Sequence, residues 1–113
     1  MSNDEPIIST LFDGHDEESR EQIQVMLNNF TQNWLPEKQQ EINDRLQSQN
    51  WESVRECIHA VKGTAGGYGY MELTDLSKTI EDEIKSEKYD NLLQLIDDFN
   101  EVCARVYAGN SKL

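Results

Sequence analysis

The spacing of apolar residues along the chain predicts a series of long amphipathic helices. In each stretch the apolar positions recur at steps of three or four residues, which places them on one helical face. The chain has only two prolines, and four of its six glycines lie between positions 63 and 69, so few other positions would break a helix. The predicted core positions are Ile23, Leu27, Phe30, Trp34, Ile42, Leu46, Val54, Ile58, Val61, Ala65, Tyr68, Leu73, Leu76, Ile80, Ile84, Leu92, Ile96, Phe99, Cys103 and Val106.

The predicted fold is all-α, an up-down antiparallel four-helix bundle, because short connections between long amphipathic helices favour antiparallel neighbours. We expect Pro36 to kink the first helix or divide it into two nearly collinear ones, since proline lacks an N–H and clashes with the preceding turn. Gly109 is expected to end the last helix. Residues 6–12 are expected to form a short extra N-terminal helix over one end. The four predicted helices span 17–48, 51–68, 71–86 and 89–107.

The length and charge of the chain narrow the classes of function. We expect a single domain in residues 1–113, with a partly flexible arm over 1–15 and the bundle over 17–109. The net charge of −12 disfavours nucleic acid and anionic membrane surfaces as partners. No apolar run is long enough to span a membrane, and the first ten residues do not resemble a secretory signal. We therefore expect a cytoplasmic protein whose Cys57 and Cys103 are reduced core thiols.

His59 lies on a different face of its predicted helix from the apolar stripe. Lys62, Gly63 and Gly66 follow it at three, four and seven residues, so all four positions share one face. We therefore expect an exposed imidazole with a lysine one turn away. Glycine in a helix costs about 1 kcal/mol relative to alanine, so we expect these glycines to make room for an approaching surface. The alternative is that the helix ends at Gly63 and the glycines form a loop.

Acidic residues are scarce around His59. Residues 55–70 hold one acid, Glu56, beside Arg55 and Lys62, whereas the rest of the chain holds 21 of the 22 acids. Unless this clustering is chance, it suits a site for an anionic group or an acidic partner. One histidine here gives too few ligands for a metal site, so we expect none. A neutral imidazole is a competent nucleophile, and a nearby lysine can hold a phosphoryl group, which favours a phosphoryl-accepting histidine.

Residues 59–70, HAVKGTAGGYGY, followed by Leu73 and Leu76, resemble the signature of histidine-containing phosphotransfer (HPt) domains. That signature is His-x-x-Lys-Gly, a small residue, Ala or Ser, two variable residues, an apolar residue and Gly. The helical segments before and after it also resemble the family, so the resemblance covers most of the chain. The glycine-rich form is similar to HPt domains attached to bacterial hybrid sensor kinases.

The resemblance implies a phosphorelay intermediate of two-component signal transduction that has no catalytic activity of its own. It implies that His59 accepts a phosphoryl group on Nε2 from the phospho-aspartate of one receiver domain and passes it to the aspartate of another. Mg²⁺ and most catalytic groups would come from the receiver, so no cofactor is expected in this chain. Lys62 would neutralise the phosphoryl oxygens, and Gly63 and Gly66 would leave room for receiver loops.

The resemblance also implies a role for Glu81, which lies 22 residues after the histidine. A carboxylate there would accept a hydrogen bond from Nδ1 of His59 and leave Nε2 free to attack. The alternative is that Glu81 is one more acid on a solvated helix face.

We expect a monomer that binds response-regulator receiver domains, with a hybrid sensor histidine kinase as a further candidate partner. Tyr68 is expected to pack inward and Tyr70 to lie near the docking surface. Two alternatives stay open: a receiver-binding adaptor with the same bundle that transfers nothing, and a phosphatase that would use Glu81 to place a water. The expected partner-binding residues are Arg55, Gly63, Gly66, Gly67 and Tyr70.

Overall fold

The computed structural model describes residues 5–111, and its regular structure is helical, without a strand in that range. Helices α1 and α2 form one long rod through a π-helical turn, and α3, α4 and α5 pack beside it as an up-down antiparallel bundle. This confirms the predicted fold class. The elements are α1 Glu17–Asn29, the π-helical turn Phe30–Trp34, α2 Leu35–Gln47, α3 Trp51–Gly67, α4 Met71–Lys85 and α5 Leu92–Ser111.

The π-helical turn lies immediately before Pro36, where the sequence predicts a kink or a division. Proline has no N–H to offer the preceding turn, so the regular hydrogen-bond ladder cannot continue through this position. The helix instead widens into a π-helical turn, in which the N–H of Leu35 donates to the carbonyl of Phe30, five residues earlier. The first predicted helix is therefore divided into two helices, α1 and α2, joined by a π-helical turn.

The predicted core positions form one hydrophobic core. Sixteen residues of the predicted stripes are buried, and the other four, Trp34, Leu46, Tyr68 and Leu76, are partly buried against the same cluster. The two cysteines are free and buried, as predicted. Burial of these stripes fixes the rotation of each helix, so the residues on the remaining faces of α3 and α4 are held in a defined orientation.

The N-terminal segment forms less helix than expected, with a single 3₁₀ turn at Thr10–Phe12. It runs across the end of the bundle, where the N–H of Ile7 donates to the carbonyl of Arg105 at 3.0 Å and the N–H of Thr10 to that of Gly69 at 3.0 Å. The predicted flexible arm can be compared with the structure only from residue 5 onward, because residues 1–4 lie outside the described residues.

The prediction that Gly109 ends the last helix is wrong. Helix α5 begins at Leu92, three residues later than expected, and continues to Ser111. A Cβ atom added at Gly109 would lie 1.8 Å from the carbonyl oxygen of Ile7. This glycine therefore lets the N-terminal segment pack directly on the α5 backbone, which is a tertiary requirement and not a helix stop.

Ser77 is a buried polar residue of α4. Its replacement by alanine is expected either to leave the free energy of unfolding unchanged or to raise it by about 1 kcal/mol. The side chain is fully buried, and its hydroxyl has no hydrogen-bond partner within the described part of the chain. Burying an unpaired hydroxyl is unfavourable, and alanine is the better helix former. Urea unfolding of wild type and Ser77→Ala measures the difference.

Thr31→Val is the matched control for that measurement. The buried hydroxyl of Thr31 donates to the carbonyl of Leu27 at 2.9 Å and accepts from Nδ2 of Asn110 at 3.0 Å. Removal of this hydroxyl is expected to lower the free energy of unfolding by about 1–2 kcal/mol, because it also takes one hydrogen-bond partner from the amide of Asn110. A larger loss of unfolding free energy in Ser77→Ala than in Thr31→Val would contradict the expectation that the Ser77 hydroxyl does not stabilise the protein.

Candidate functional site

Helix α3 continues unbroken through its glycines and presents His59 to solvent. The helix ends at Gly67, so the alternative in which it stops at Gly63 is wrong. The side chain of His59 is 62% exposed, whereas Ile58 beside it is fully buried. The predicted separation of the histidine from the core stripe is confirmed. The ring also lies on the side of α3 that faces α4, where it meets a side chain of that helix.

Glu81 of α4 joins the histidine and the lysine through its two carboxylate oxygens. Nδ1 of His59 lies 2.7 Å from Oε2, and Nζ of Lys62 donates to Oε1 at 2.6 Å. Glu81 itself is 1% exposed, so the alternative of an ordinary solvated acid is wrong. An ionised carboxylate only accepts hydrogen bonds, so Nδ1 carries the proton and Nε2 is the ring nitrogen that remains for a reaction.

Two further cations complete the group that we call the Glu81 cluster: Glu81, His59, Lys62, Arg55 and Lys85. Nη1 of Arg55 lies 3.6 Å and Nζ of Lys85 3.7 Å from Oε2 of Glu81. The cluster therefore has more cationic than anionic groups, within a chain whose net charge is −12. Such local positive charge attracts an approaching anion.

The cations keep Glu81 ionised despite its burial. Burial alone would raise the pKa of this carboxyl, but hydrogen bonds from Lys62 and His59, with their charges, lower it from 4.5 to about 2. The carboxylate is thus charged throughout the physiological pH range. A charged acceptor beside Nδ1 stabilises positive charge that develops on the imidazole ring.

Arg55 and Lys85 occupy roles that the sequence did not indicate fully. Within the chain, Nε of Arg55 donates to both carboxylate oxygens of Glu52, at 3.2 and 3.1 Å, and its Nη1 faces Glu81; its contact with a partner stays a prediction. Lys85 was missed altogether. Its position four residues after Glu81 is the spacing of a helical ion pair, which is the signal that would have revealed it.

The glycines of α3 differ in what surrounds them. A Cβ atom added at Gly63 or Gly67 would meet nothing within 4 Å outside its own turn of helix, so both positions offer open space on the surface of α3, and Gly63 does so one turn from the histidine. At Gly66 the added atom would lie 3.3 Å from Oγ1 of Thr74. The missing side chain of Gly66 is therefore directed at α4, and room for a partner at this position stays a prediction.

The prediction that Tyr70 lies at a docking surface is also wrong. Gly69, with a φ of +80°, turns the chain after α3, and Tyr70 is 1% exposed. Its ring stacks on Phe30 with the ring centroids 5.6 Å apart, and burial raises its pKa to about 12. Tyr68, which was expected to pack inward, stacks on the same Phe30 ring at 4.8 Å. The aromatic residue at position 70 therefore belongs to the core.

The described residues contain neither a cluster of metal-binding side chains nor a membrane-spanning helix. No group of three or more His, Cys, Asp or Glu side chains between residues 5 and 111 is arranged to hold a metal ion. Within the same range, no helix combines the length and the apolar character needed to cross a membrane.

A family model places this chain among known proteins. The model of the Hpt domain matches residues 17–109, which includes α1 to α4 and most of α5. Comparisons with curated proteins and with solved structures found no match. Hpt domains are phosphotransfer modules that interact with receiver domains and kinases in the phosphorelays of two-component signalling. The chain belongs to the Hpt domain family.

Proposed function

We propose that this chain is a phosphorelay intermediate in which Nε2 of His59 accepts a phosphoryl group from the phospho-aspartate of one receiver domain and passes it to the aspartate of another. The observation that carries the proposal is the exposed imidazole whose Nδ1 is held by a buried carboxylate, at 2.7 Å from Glu81. That arrangement fixes the tautomer with its lone pair on Nε2, which is the nucleophilic form.

The transfer exchanges one bond to phosphorus for another. A bond forms between Nε2 and phosphorus while the bond between phosphorus and the aspartyl oxygen breaks, and its electron pair leaves with the carboxylate. The imidazole keeps its proton on Nδ1 and gains positive charge, which the Glu81 carboxylate stabilises. Transfer to the second receiver reverses these changes. No proton has to leave the histidine in either direction.

Lys62 supports this chemistry through Glu81 and through its charge. Its ammonium group donates to Oε1 of Glu81 at 2.6 Å, which keeps the carboxylate oriented toward the histidine. The same charge, one turn from His59, favours the phosphoryl oxygens as a neighbouring point charge. Gly63 and Gly67 leave the space that a receiver domain needs to reach the ring, since an added Cβ at either would meet nothing within 4 Å.

The receiver domain supplies the remaining groups in this proposal. Mg²⁺ and the catalytic residues belong to the receiver, and this chain acts as a monomer without turnover of its own. The free and buried Cys57 and Cys103 suit a reducing compartment, which supports a cytoplasmic location.

The test is phosphoryl transfer from an isolated receiver domain. The receiver is phosphorylated with labelled phosphoryl donor in Mg²⁺, freed of excess donor and mixed with this chain. We expect the label to move to the chain and to be lost in acid but retained in base, as for a phosphohistidine. Mass spectrometry of the peptide that contains residues 55–70 then locates the modification.

The alternatives predict different results in the same experiment. A receiver-binding adaptor would form a complex but take no label from any of several receivers. A phosphatase would release inorganic phosphate from the receiver without a labelled intermediate on this chain. Either result would overturn the proposal.

A further inference from the structure

A notch in α3 at Gly66 receives the side chain of Thr74 from α4. A Cβ atom added at Gly66 would lie 3.3 Å from Oγ1 and 3.7 Å from Cγ2 of Thr74. Oγ1 of Thr74 also donates to the carbonyl of Lys62 at 3.3 Å, one turn earlier in α3. The Gly66 notch therefore holds α4 close to the turn of α3 that ends at Gly66.

The Gly66 notch and the pair of His59 and Glu81 lie on the same seam between α3 and α4. Gly66 follows His59 by seven residues, and Glu81 follows Thr74 by seven residues, so each helix presents both positions on one face. Because the helices are antiparallel, the notch and the pair are in register and about 10 Å apart along the seam. The spacing of the backbones at the notch is thus carried to the site by two turns of rigid helix.

The hydrogen bonds of Glu81 leave little freedom for that spacing to change. Its oxygens lie 2.7 Å from Nδ1 of His59 and 2.6 Å from Nζ of Lys62, and such bonds weaken steeply beyond about 3.2 Å. Close-packed interiors transmit small displacements along an interface. A shift of about half an ångström carried to the site would bring the Nδ1 contact from 2.7 Å to the outer limit of an ordinary hydrogen bond.

We propose that Gly66 and Thr74 are positioning residues, which set the spacing of α3 and α4 at which Glu81 holds Nδ1 of His59. The proposal rests on the proposed function of His59 as the phosphoryl acceptor. It assigns Gly66 a different purpose from Gly63 and Gly67, because only at Gly66 does the missing side chain face a neighbouring helix. A partner surface is not needed for this role.

The test measures the imidazole directly, without a receiver domain. The chain is labelled with ¹⁵N-histidine, and NMR spectra report the Nδ1–H signal and the tautomer of His59. We expect Gly66→Ala to remain folded but to lose the protected Nδ1–H signal and the fixed tautomer. We also expect its phosphorylation to slow by about tenfold, as for a small misplacement of a reacting group.

Further variants separate positioning from other effects. Gly67→Ala adds the same methyl group on the open face and is expected to leave the His59 spectrum unchanged. The double variant Gly66→Ala/Thr74→Ala provides space for the new methyl group and is expected to return both the spectrum and the phosphorylation rate to those of Thr74→Ala alone, which also lacks the bond to the Lys62 carbonyl. Rescue of this kind would not follow if Gly66→Ala acted by blocking a partner.

The outcomes distinguish this proposal from the proposed function. An unchanged His59 spectrum in Gly66→Ala, or a double variant without rescue, would overturn the role of the notch. Should Gly66→Ala not fold, Thr74→Val keeps the shape of the side chain and removes only its bond to the Lys62 carbonyl. A His59 spectrum unaffected by Thr74→Val would then count against the proposal. If wild type accepted no phosphoryl group, the proposed function of His59 would be overturned. The NMR spectra would still test whether Gly66 and Thr74 set the spacing of α3 and α4.

Discussion

A His59→Gln variant is expected to take no label above background from a phosphorylated receiver domain under conditions in which wild type is labelled. The glutamine amide nitrogen has no available lone pair, so it cannot replace Nε2 as the nucleophile. The fold is expected to survive, since the side chain is 62% exposed and outside the core. The measurement is the time course of label transfer, with circular dichroism to show that the variant is folded.

His15→Gln is the matched control for that experiment. His15 is exposed in the segment just before α1. The same substitution there changes the composition of the chain equally but leaves α3 and α4 untouched, so labelling at the wild-type rate is expected. Label on the His59→Gln variant with the same acid lability would show that another histidine is the acceptor. Loss of labelling in His15→Gln would point to the same conclusion.

The helices could be predicted because their signals are local. Steps of three and four residues place apolar side chains on one face whatever the neighbouring helix is, and the stripe of Val54, Ile58, Val61 and Ala65 is buried as predicted. The irregularity before Pro36 was predictable for the same reason, since the missing N–H belongs to the residue itself.

The errors and omissions concern residues whose surroundings come from distant parts of the chain. Glycine commonly ends a helix, but at position 109 it is needed because the carbonyl of Ile7 occupies the space beside it. Gly66 belongs to a glycine-rich face, yet its neighbour is Thr74 of the next helix. Tyr70 follows a turn whose direction is set by Gly69, and that turn directs the ring onto Phe30. None of these contacts follows from the sequence near the residue.

The sequence predicted the histidine of the candidate site but only part of the charged residues around it. The sequence around His59 is poor in acids, which suggested a site for an anionic group or an acidic partner. The structure shows that α4 places the buried Glu81 directly beside the ring. The scarcity of acids in α3 therefore accompanies a single carboxylate supplied by another helix, with Lys62, Arg55 and Lys85 around it.

A Glu81→Gln variant is expected to lose stability at neutral pH and to slow phosphorylation of His59. The pKa of Glu81 is about 2 in the folded chain against 4.5 ordinarily, so the unfolded chain binds the proton more readily. The stabilisation is therefore complete above about pH 5 and is lost as the pH falls toward 2. Its size is about 1–2 kcal/mol, since water around the partly exposed cations screens their charges.

Urea unfolding of wild type and Glu81→Gln between pH 7 and pH 2.5 measures this contribution as the difference between the two curves. We expect the difference to shrink as the pH falls, because protonation removes from wild type the charge that the variant already lacks. Asp82→Asn, which neutralises the exposed acid next in the chain, controls for the change in net charge. A difference that stayed constant with pH would show that Glu81 is held by packing and not by its charge.

The same variant separates the two tasks of the carboxylate in phosphotransfer. Glutamine keeps an oxygen that can accept from Nδ1 of His59 but has no charge to stabilise the ring as it becomes positive, so a roughly tenfold slower phosphorylation is expected. Glu81→Leu also removes the acceptor and is expected to slow the reaction by about a hundredfold, because the tautomer is no longer fixed. Equal rates for the two variants would mean that charge alone matters, and wild-type rates in both would remove Glu81 from the mechanism.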